Sequence, residues 1–175
     1  IGSLGRGGMT PLKLTLAGVI LTSFLASFTS AILISDEQTL ERIRFWTVGS
    51  LAGRDMPLLL HTTPYILIGL VGALLISHQL TLMSLGDDVA TGLGQNTVWV
   101  KGIAAVVVVL LSGGAVALAG PIGFVGLVIP HVVRFLVGVN YRWIIPYSAL
   151  LGGLLITIGD VAARVIIRPQ ELPVG

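Results

Sequence analysis

Few residues in this chain have the type and spacing to do chemistry. Asp160 and Arg164 are four positions apart in an apolar segment, in the acid-first order that favours an ion pair on one helix face. Ionisable side chains inside a membrane segment can also relay protons. His61, His78 and His131 are scattered and have no histidine or carboxylate at helical spacing, so they predict no transition-metal site. Asp160 and Arg164 are therefore expected to form either an ion pair or a proton relay. We expect no metal or other cofactor.

Motifs for bond-making chemistry are missing from the sequence. There is no G-x-x-x-x-G-K-[ST] phosphate loop, no G-x-S-x-G elbow and no cysteine that could serve as a thiolate. A formal net charge of +2 without a basic run gives no support to nucleic-acid binding. The chain is therefore predicted not to be an enzyme, and it has no means of hydrolysing ATP by itself.

One short polar stretch, residues 84–94, lies between two long apolar blocks. It reads SLGDDVATGLG and contains the adjacent carboxylates Asp87 and Asp88. A narrow apolar row, with members at four-residue steps, consists of Leu85, Val89 and Leu93. Carboxylates are favourable near a helix N-terminus, so the stretch predicts a short amphipathic helix outside the membrane that could dock a partner. An ordinary solvated loop is the alternative that these residues leave open.

The elements that position these residues are hydrophobic helices. The composition is 54% hydrophobic and 10% charged, against about 25% charged in soluble domains, so we expect an integral membrane protein. Crossing a bilayer takes about 20 apolar residues. The apolar blocks, in chain order, are residues 14–34, 57–83, 98–120, 121–139 and 143–167. In the second block the best apolar core is 65–76, and His78 and Gln79 are expected to end the span.

Details within these blocks refine the prediction. The block at 121–139 contains Pro130, His131 and Arg134, so we expect a short or broken helix buried by its neighbours. Residues 36–55 predict a helix lying flat at the interface with Trp46 as its anchor. Lys101 is able to extend toward lipid headgroups. The chain begins at Ile1 and ends without a charged tail, which we interpret as an internal fragment of a longer protein.

Several motifs together resemble one family, the FecCD-type permease subunits of ABC importers for iron-siderophores, haem and cobalamin. They cover essentially the whole chain in the order and spacing of that family. They are PLKLTLAG at 11–18, FWTVGSL at 45–51, SLGDDVATGLG at 84–94, AGPIGFVGLVIPHVVR at 119–134, GDVAAR at 159–164 and ELPVG at 171–175. The resemblance implies an all-α, polytopic transmembrane helical bundle of ten helices. This chain would contain about five of those spans, the fifth to the ninth, as a single permease domain over residues 1–175.

The resemblance also implies roles for particular residues. Arg164 matches an arginine that contacts the substrate-binding protein. The ATPase-coupling segment, which would lie in a cleft of the ATPase on the cytoplasmic side, comprises Leu85, Gly86, Asp87, Asp88, Ala90, Leu93 and Gly94. A cytoplasmic gate before the first span of this chain would include Met9, Thr10, Pro11 and Leu12.

The function that the resemblance implies is import of ferric siderophore across the bacterial cytoplasmic (inner or plasma) membrane by a multi-pass subunit. Its partners would be ABC ATPase subunits that hydrolyse ATP, a periplasmic or lipid-anchored binding protein, a second permease subunit in a homo- or heterodimer, and membrane lipid, without nucleic acid. Haem or cobalamin is the alternative cargo. Two other hypotheses are a proton-coupled carrier using His131, Asp160 and Arg164, and a purely structural membrane anchor.

Overall fold

A computed structural model describes residues 11–33, 46–49 and 55–166, and this part of the chain is built from helices without strands. The helices are α1 Pro11–Leu33, α2 Met56–Leu75, α3 Ser77–Met83, α4 Asp87–Gly92, α5 Thr97–Ala119, α6 Val125–Val137 and α7 Tyr141–Ile166. The all-α prediction is confirmed. Most of the predicted interfacial helix at 36–55 lies outside the described residues.

Four described helices are long and apolar enough to cross a bilayer: Thr15–Ile32, Met56–Leu75, Thr97–Ala119 and Tyr141–Val165. The block predicted at 121–139 gives only the 13-residue α6, about 20 Å long at 1.5 Å per residue, which is too short for a straight crossing. The structure thus has four full-length candidate spans and one short apolar helix, where the sequence predicted about five spans.

The chain divides into two compact units, residues 1–44 and 45–175. In the first unit, α1 presents large apolar side chains such as Phe24 and Phe28, both more than 60% exposed. Three of its hydroxyls, on Thr22, Ser27 and Thr29, donate to carbonyls four residues back in the helix, as Thr22 Oγ1 does to the Gly18 carbonyl at 2.8 Å. Internal pairing of this kind satisfies polar groups where lipid offers no partner.

Close packing of α2 against α5 forms the core of the second unit. The two helices run antiparallel, with Gly72 beside Val107, Gly69 beside Leu111, and Gly114 beside Ile66. A Cβ placed on Gly114 would lie 2.7 Å from Cγ1 of Ile66, so the absence of a side chain permits this approach. Small residues at such contacts are typical of membrane helix pairs.

The beginning of α7 joins this pair to α6. Ile145 packs on the cluster of Ala73, Ile76 and Val107, which belongs to the α2–α5 side. Its neighbour Ile144 is buried in a second cluster, with Ile129 and Val133 of α6. Adjacent residues of one helix point in different directions, so α7 connects the two clusters.

The predicted span at 57–83 is interrupted close to His78 and Gln79, the residues expected to end it, and only its outer bound at residue 83 is wrong. Helix α2 ends at Leu75, Ile76 adopts φ −90° and ψ 4°, and α3 follows as a separate seven-residue helix. The buried Ser77 donates its hydroxyl proton to the Leu74 carbonyl at 2.6 Å. Such local hydroxyl-to-backbone bonds compete with the regular helix pattern and bend it, which hydrophobicity alone does not reveal.

The turn between α5 and α6 depends on Gly120. This residue has φ +75°, and a Cβ there would collide with the Trp46 carbonyl oxygen. The prediction that neighbours bury the 121–139 block is correct for one face only. Ile129 and Val133 are buried, whereas Leu127 and Phe135 on the other side are 76% and 80% exposed in this chain.

Candidate docking segment

Helix α4 occupies the polar stretch for which the sequence left helix and loop open. Gly86 precedes it with φ +116°, and Gly94 follows it with φ +82°. These left-handed conformations suit glycine, so the two residues set sharp turns on either side of a helix of six residues. The chain therefore forms a compact helical turn that starts with Asp87 and Asp88.

Three contacts hold α4 against the rest of the second unit. The side chain of Ala90 is completely buried. After the helix, Gln95 donates from Nε2 to the Gln79 carbonyl of α3 at 3.1 Å. Lys101, in the second turn of α5, forms an ion pair with Asp87 through Nζ and Oδ2. Since a helix this short is unstable alone, these contacts determine where it lies.

The outward side of α4 and its flanks is apolar and acidic. The predicted row of Leu85, Val89 and Leu93 is 59%, 48% and 63% exposed. Asp88 is also exposed, and within the described residues it takes part in neither of the two ion pairs. Apolar side chains beside an unpaired carboxylate are the composition expected of a surface that a partner covers.

A polar cluster beside α4 links three other helices. The backbone N–H of Tyr141, at the start of α7, donates to Thr81 Oγ1 of α3 at 3.0 Å. Arg134 of α6 donates from Nη2 to the Tyr141 hydroxyl at 2.7 Å and lies over the Tyr141 ring. We call the end formed by α3, α4, the start of α5, the end of α6 and the start of α7 the docking end.

Sequence reasoning missed the contacts that hold this end together. The sequence indicated that Lys101 can extend toward lipid headgroups, and the structure adds that its ammonium group reaches Asp87. The sequence indicated Gln79 only as a residue that ends a span, and it gave no role to Gln95 or Thr81. Asp87 and Lys101 are 14 residues apart with a turn between them, so no helical spacing connects them. The one indication of this ion pair in the sequence is that two opposite charges lie on either side of a predicted turn.

Arg164 lies toward the opposite end, defined by the end of α5, the start of α6 and the end of α7. Its Nε donates to Asp160 Oδ2 at 2.8 Å, and the two side chains are 53% and 21% exposed. The predicted ion pair is therefore present. Arg164 is 23 residues beyond Tyr141 on α7, roughly 35 Å along a helix axis, which is about the thickness of a bilayer.

A proton relay from His131 to the Asp160–Arg164 pair is not supported by the helix geometry. Gly152 of α7 is level with Val125, at the start of α6. From that level, His131 lies six residues along α6 and Asp160 lies eight residues along α7, in opposite directions because the helices are antiparallel. His131 and Asp160 are therefore roughly 20 Å apart along the helix axes. Within the described residues, no group of three or more His, Cys, Asp or Glu could hold a metal ion.

A family model for the FecCD transport family matches residues 1–175, the whole of this sequence. The chain belongs to this family. The FecCD resemblance that the motifs indicated is confirmed, and with four candidate spans the FecCD chain is a multi-pass membrane protein, as predicted.

Curated relatives of this FecCD chain are bacterial permeases. It is 48% identical over 174 residues to the Probable siderophore transport system permease protein YfiZ of Bacillus subtilis, covering 99% of the chain and 52% of the relative. It is 48% identical over 178 residues to the iron(3+)-hydroxamate import permease FhuB of the same organism, covering 100% of the chain and 45% of the relative. A hemin permease of Yersinia pestis, HmuU, is 37% identical over 172 residues, covering 98% of the chain and 51% of the relative.

A solved structure gives the same picture of the fold. It is described as a metal-chelate type ABC transporter in an inward-facing conformation. The match has a TM-score of 0.86 at 31% sequence identity, and it covers 94% of this chain and 54% of the chain in that structure. The FecCD chain thus spans about half the length of the relatives it matches. The fold similarity therefore concerns one half of a permease.

The family assignment does not assign residues. The roles of the coupling segment and of Arg164 stay predictions. Of the gate residues, Met9 and Thr10 lie outside the described residues, while Pro11 and Leu12 begin α1 without described side chains. The prediction of a single permease domain over residues 1–175 also stays a prediction.

Proposed function

We propose that this chain is part of the transmembrane permease of a bacterial ABC importer for ferric siderophores. The observation that carries the proposal is α4, a short helix held outside the candidate spans with exposed Leu85, Val89 and Leu93 beside Asp88. In a FecCD chain whose relatives include siderophore and iron-hydroxamate permeases, this surface is suited to dock an ATPase. ATP hydrolysis belongs to that partner.

Transport depends on contacts that pass the motion of the ATPase subunits through α4 to the candidate membrane spans. When the ATPase subunits close on ATP, α4 moves with them. Its motion passes through the Asp87–Lys101 and Gln95–Gln79 contacts into α5 and α3. The Thr81–Tyr141 bond carries it on to α7, whose distant end contains Arg164. Rigid helices thereby couple ATP binding at one face to an external binding protein at the other, as rigid-body transitions do elsewhere.

The remaining partners follow from the same proposal. A binding protein, periplasmic or lipid-anchored, delivers the cargo near Arg164, and a second permease subunit completes the path. The gate at residues 9–12 closes that path on the cytoplasmic side. Haem is the second candidate cargo, because a hemin permease is among the relatives.

The test uses the full-length permease with its ATPase and binding protein in liposomes. Uptake of a radiolabelled ferric hydroxamate should require ATP and should cease with a catalytically inactive ATPase. Labelled haem and cobalamin, measured in parallel, identify the cargo. Uptake that persists without ATP under a proton gradient would contradict the proposal and favour the carrier hypothesis. Normal uptake by an Asp87→Lys, Asp88→Lys double variant would favour a structural anchor.

A further inference from the structure

The two ion pairs in the described part of the chain differ in what they join. Asp160 and Arg164 belong to one helix, whereas Asp87 and Lys101 connect α4 to α5. Lys101 is the fifth residue of a helix whose Val100 and Val107 are buried in the second unit. The ammonium group is therefore attached to a packed candidate span, and its partner is the first residue of the docking helix.

The two adjacent carboxylates of α4 face different directions. Successive residues of an α-helix are rotated by about 100°, so Asp87 is roughly 60° and Asp88 roughly 160° from Ala90 around the axis. Ala90 is fully buried and marks the inner side of α4. Asp87 consequently lies on the inner flank, within reach of Lys101, and Asp88 lies on the outer side. Two neighbours with the same chemistry have different surroundings.

Burial of Ala90 alone leaves the orientation of α4 weakly determined. Burial of the Ala90 methyl group opposes separation of α4 from the helices that it packs against, but it opposes rotation of α4 about its own axis only weakly. The Gln95–Gln79 bond fixes the end of the segment, after the helix. The Asp87–Lys101 pair fixes its beginning, so together they determine which side chains face outward.

We propose that Lys101 is a positioning residue for α4. By holding Asp87 it sets the rotation of the helix, so that Asp88 and Val89 face the ATPase and Asp87 does not contact it. This assignment rests on the proposed function. It gives Asp87 and Asp88 separate tasks: Asp87 transmits motion to the candidate span, and Asp88 belongs to the partner surface.

The test is a double-mutant cycle in the full-length permease, assembled with its ATPase and binding protein in liposomes. The variants are Lys101→Met, Asp87→Asn, their combination and the conservative Lys101→Arg. The readouts are ferric hydroxamate taken up per ATP hydrolysed and the affinity for the ATPase. Both partners are about half exposed, at 46% and 56%, so each single variant should lower uptake per ATP roughly two- to fivefold.

The pattern across the variants identifies the role. The combined variant should be no worse than either single one, and Lys101→Arg should restore uptake per ATP, because an exposed arginine also reaches the carboxylate. Asp88→Asn should instead weaken ATPase affinity. Arg142→Met is the matched control, since it removes another exposed cation at the docking end that takes part in neither described ion pair, and it should behave as wild type.

Two results would overturn the assignment while leaving the proposed function intact. One is wild-type uptake per ATP in Lys101→Met, as expected if Lys101 only contacts lipid headgroups. The other is additive losses in the combined variant, which would mean that Asp87 and Lys101 act separately. An absence of ATP-dependent uptake by the wild-type complex would instead overturn the proposed function itself and, with it, this assignment.

Discussion

The docking end and the opposite end of the second unit use polar residues differently. At the docking end, side chains join separate segments of the chain: Asp87 to Lys101, Gln95 to Gln79 and Thr81 to Tyr141. At the opposite end, Asp160–Arg164 and Thr157–Gly153 are contacts within one helix. The approach of Gly120 to the Trp46 carbonyl joins separate segments there through backbone atoms.

This difference suits a protein that must transmit motion from one face. Side-chain bonds between helices make the docking end move as a connected body, so displacement of α4 reaches α5 and α7. The Asp160–Arg164 pair lies within one helix and the Arg164 side chain is 53% exposed, so its guanidinium group can still meet a partner. Four predictions test this contrast, ordered by expected effect on the stability of the permease.

The largest loss of stability is expected from Gly120→Ala at the opposite end. The new Cβ would meet the Trp46 carbonyl oxygen, and alanine is strained at φ +75°. Overpacking and backbone strain together should cost about 3 kcal/mol. Chemical unfolding of the full-length permease in detergent measures this. Gly123→Ala is the control, because its Cβ would have no atom within 4 Å. Equal losses in both variants would contradict the close-approach explanation.

A smaller loss is expected in the middle of the unit, from Gly114→Ala. Its Cβ would lie 2.7 Å from Ile66 Cγ1, so α2 and α5 must separate slightly or Ile66 must move, at a cost of about 1–2 kcal/mol. The adjacent Gly113→Ala, with no atom within 4 Å of its Cβ, should be neutral or stabilising by up to about 1 kcal/mol through helix propensity. Reversal of this order in the same unfolding assay would show that α2 and α5 pack differently.

Removal of the Thr81 hydroxyl should cost about 1 kcal/mol and lower uptake per ATP. Thr81→Val keeps the shape but leaves the Tyr141 N–H without its acceptor, and it removes both this bond between α3 and α7 and the Thr81 hydroxyl bond to the Ser77 carbonyl. The matched change at the opposite end, Thr157→Val, removes only a bond to the Gly153 carbonyl of the same helix and should change stability by less than about 0.5 kcal/mol. If both variants show the same uptake per ATP, the hydrogen bond between α3 and α7 has no part in coupling ATP binding to transport.

The smallest effect on stability is expected from Arg164→Glu, below about 1 kcal/mol, because an exposed ion pair within one helix contributes little. The functional effect should be specific: affinity for the binding protein falls about tenfold, or about 1.4 kcal/mol, while ATPase attachment is unchanged. Titration of the binding protein against liposomes containing the permease measures this. Arg142→Glu, at the docking end, should leave binding-protein affinity unchanged, and a loss there would argue against the predicted sidedness.

Local patterns in the sequence predicted the parts of the site that local forces determine. Glycines around two carboxylates indicated α4, and acid-first spacing indicated the Asp160–Arg164 pair. The break at Ile76 falls where the apolar core at 65–76 gives way to Ser77, His78 and Gln79, so composition indicated its place, whereas the Ser77 hydroxyl bond to the Leu74 carbonyl was not predicted. Lys101 and Thr81 were missed because their partners are close only after α5 and α7 have packed.

The most direct test of the central claim is site-specific cross-linking from α4. These 175 residues contain no cysteine, so one introduced cysteine among them can bear a photoreactive benzophenone. In the assembled full-length importer with other cysteines removed, Val89→Cys should cross-link to the ATPase, and Val161→Cys, similarly exposed on α7 toward the opposite end, should not. Cross-linking to the ATPase from Val161→Cys, with none from Val89→Cys, would contradict the assignment of α4 as the docking helix.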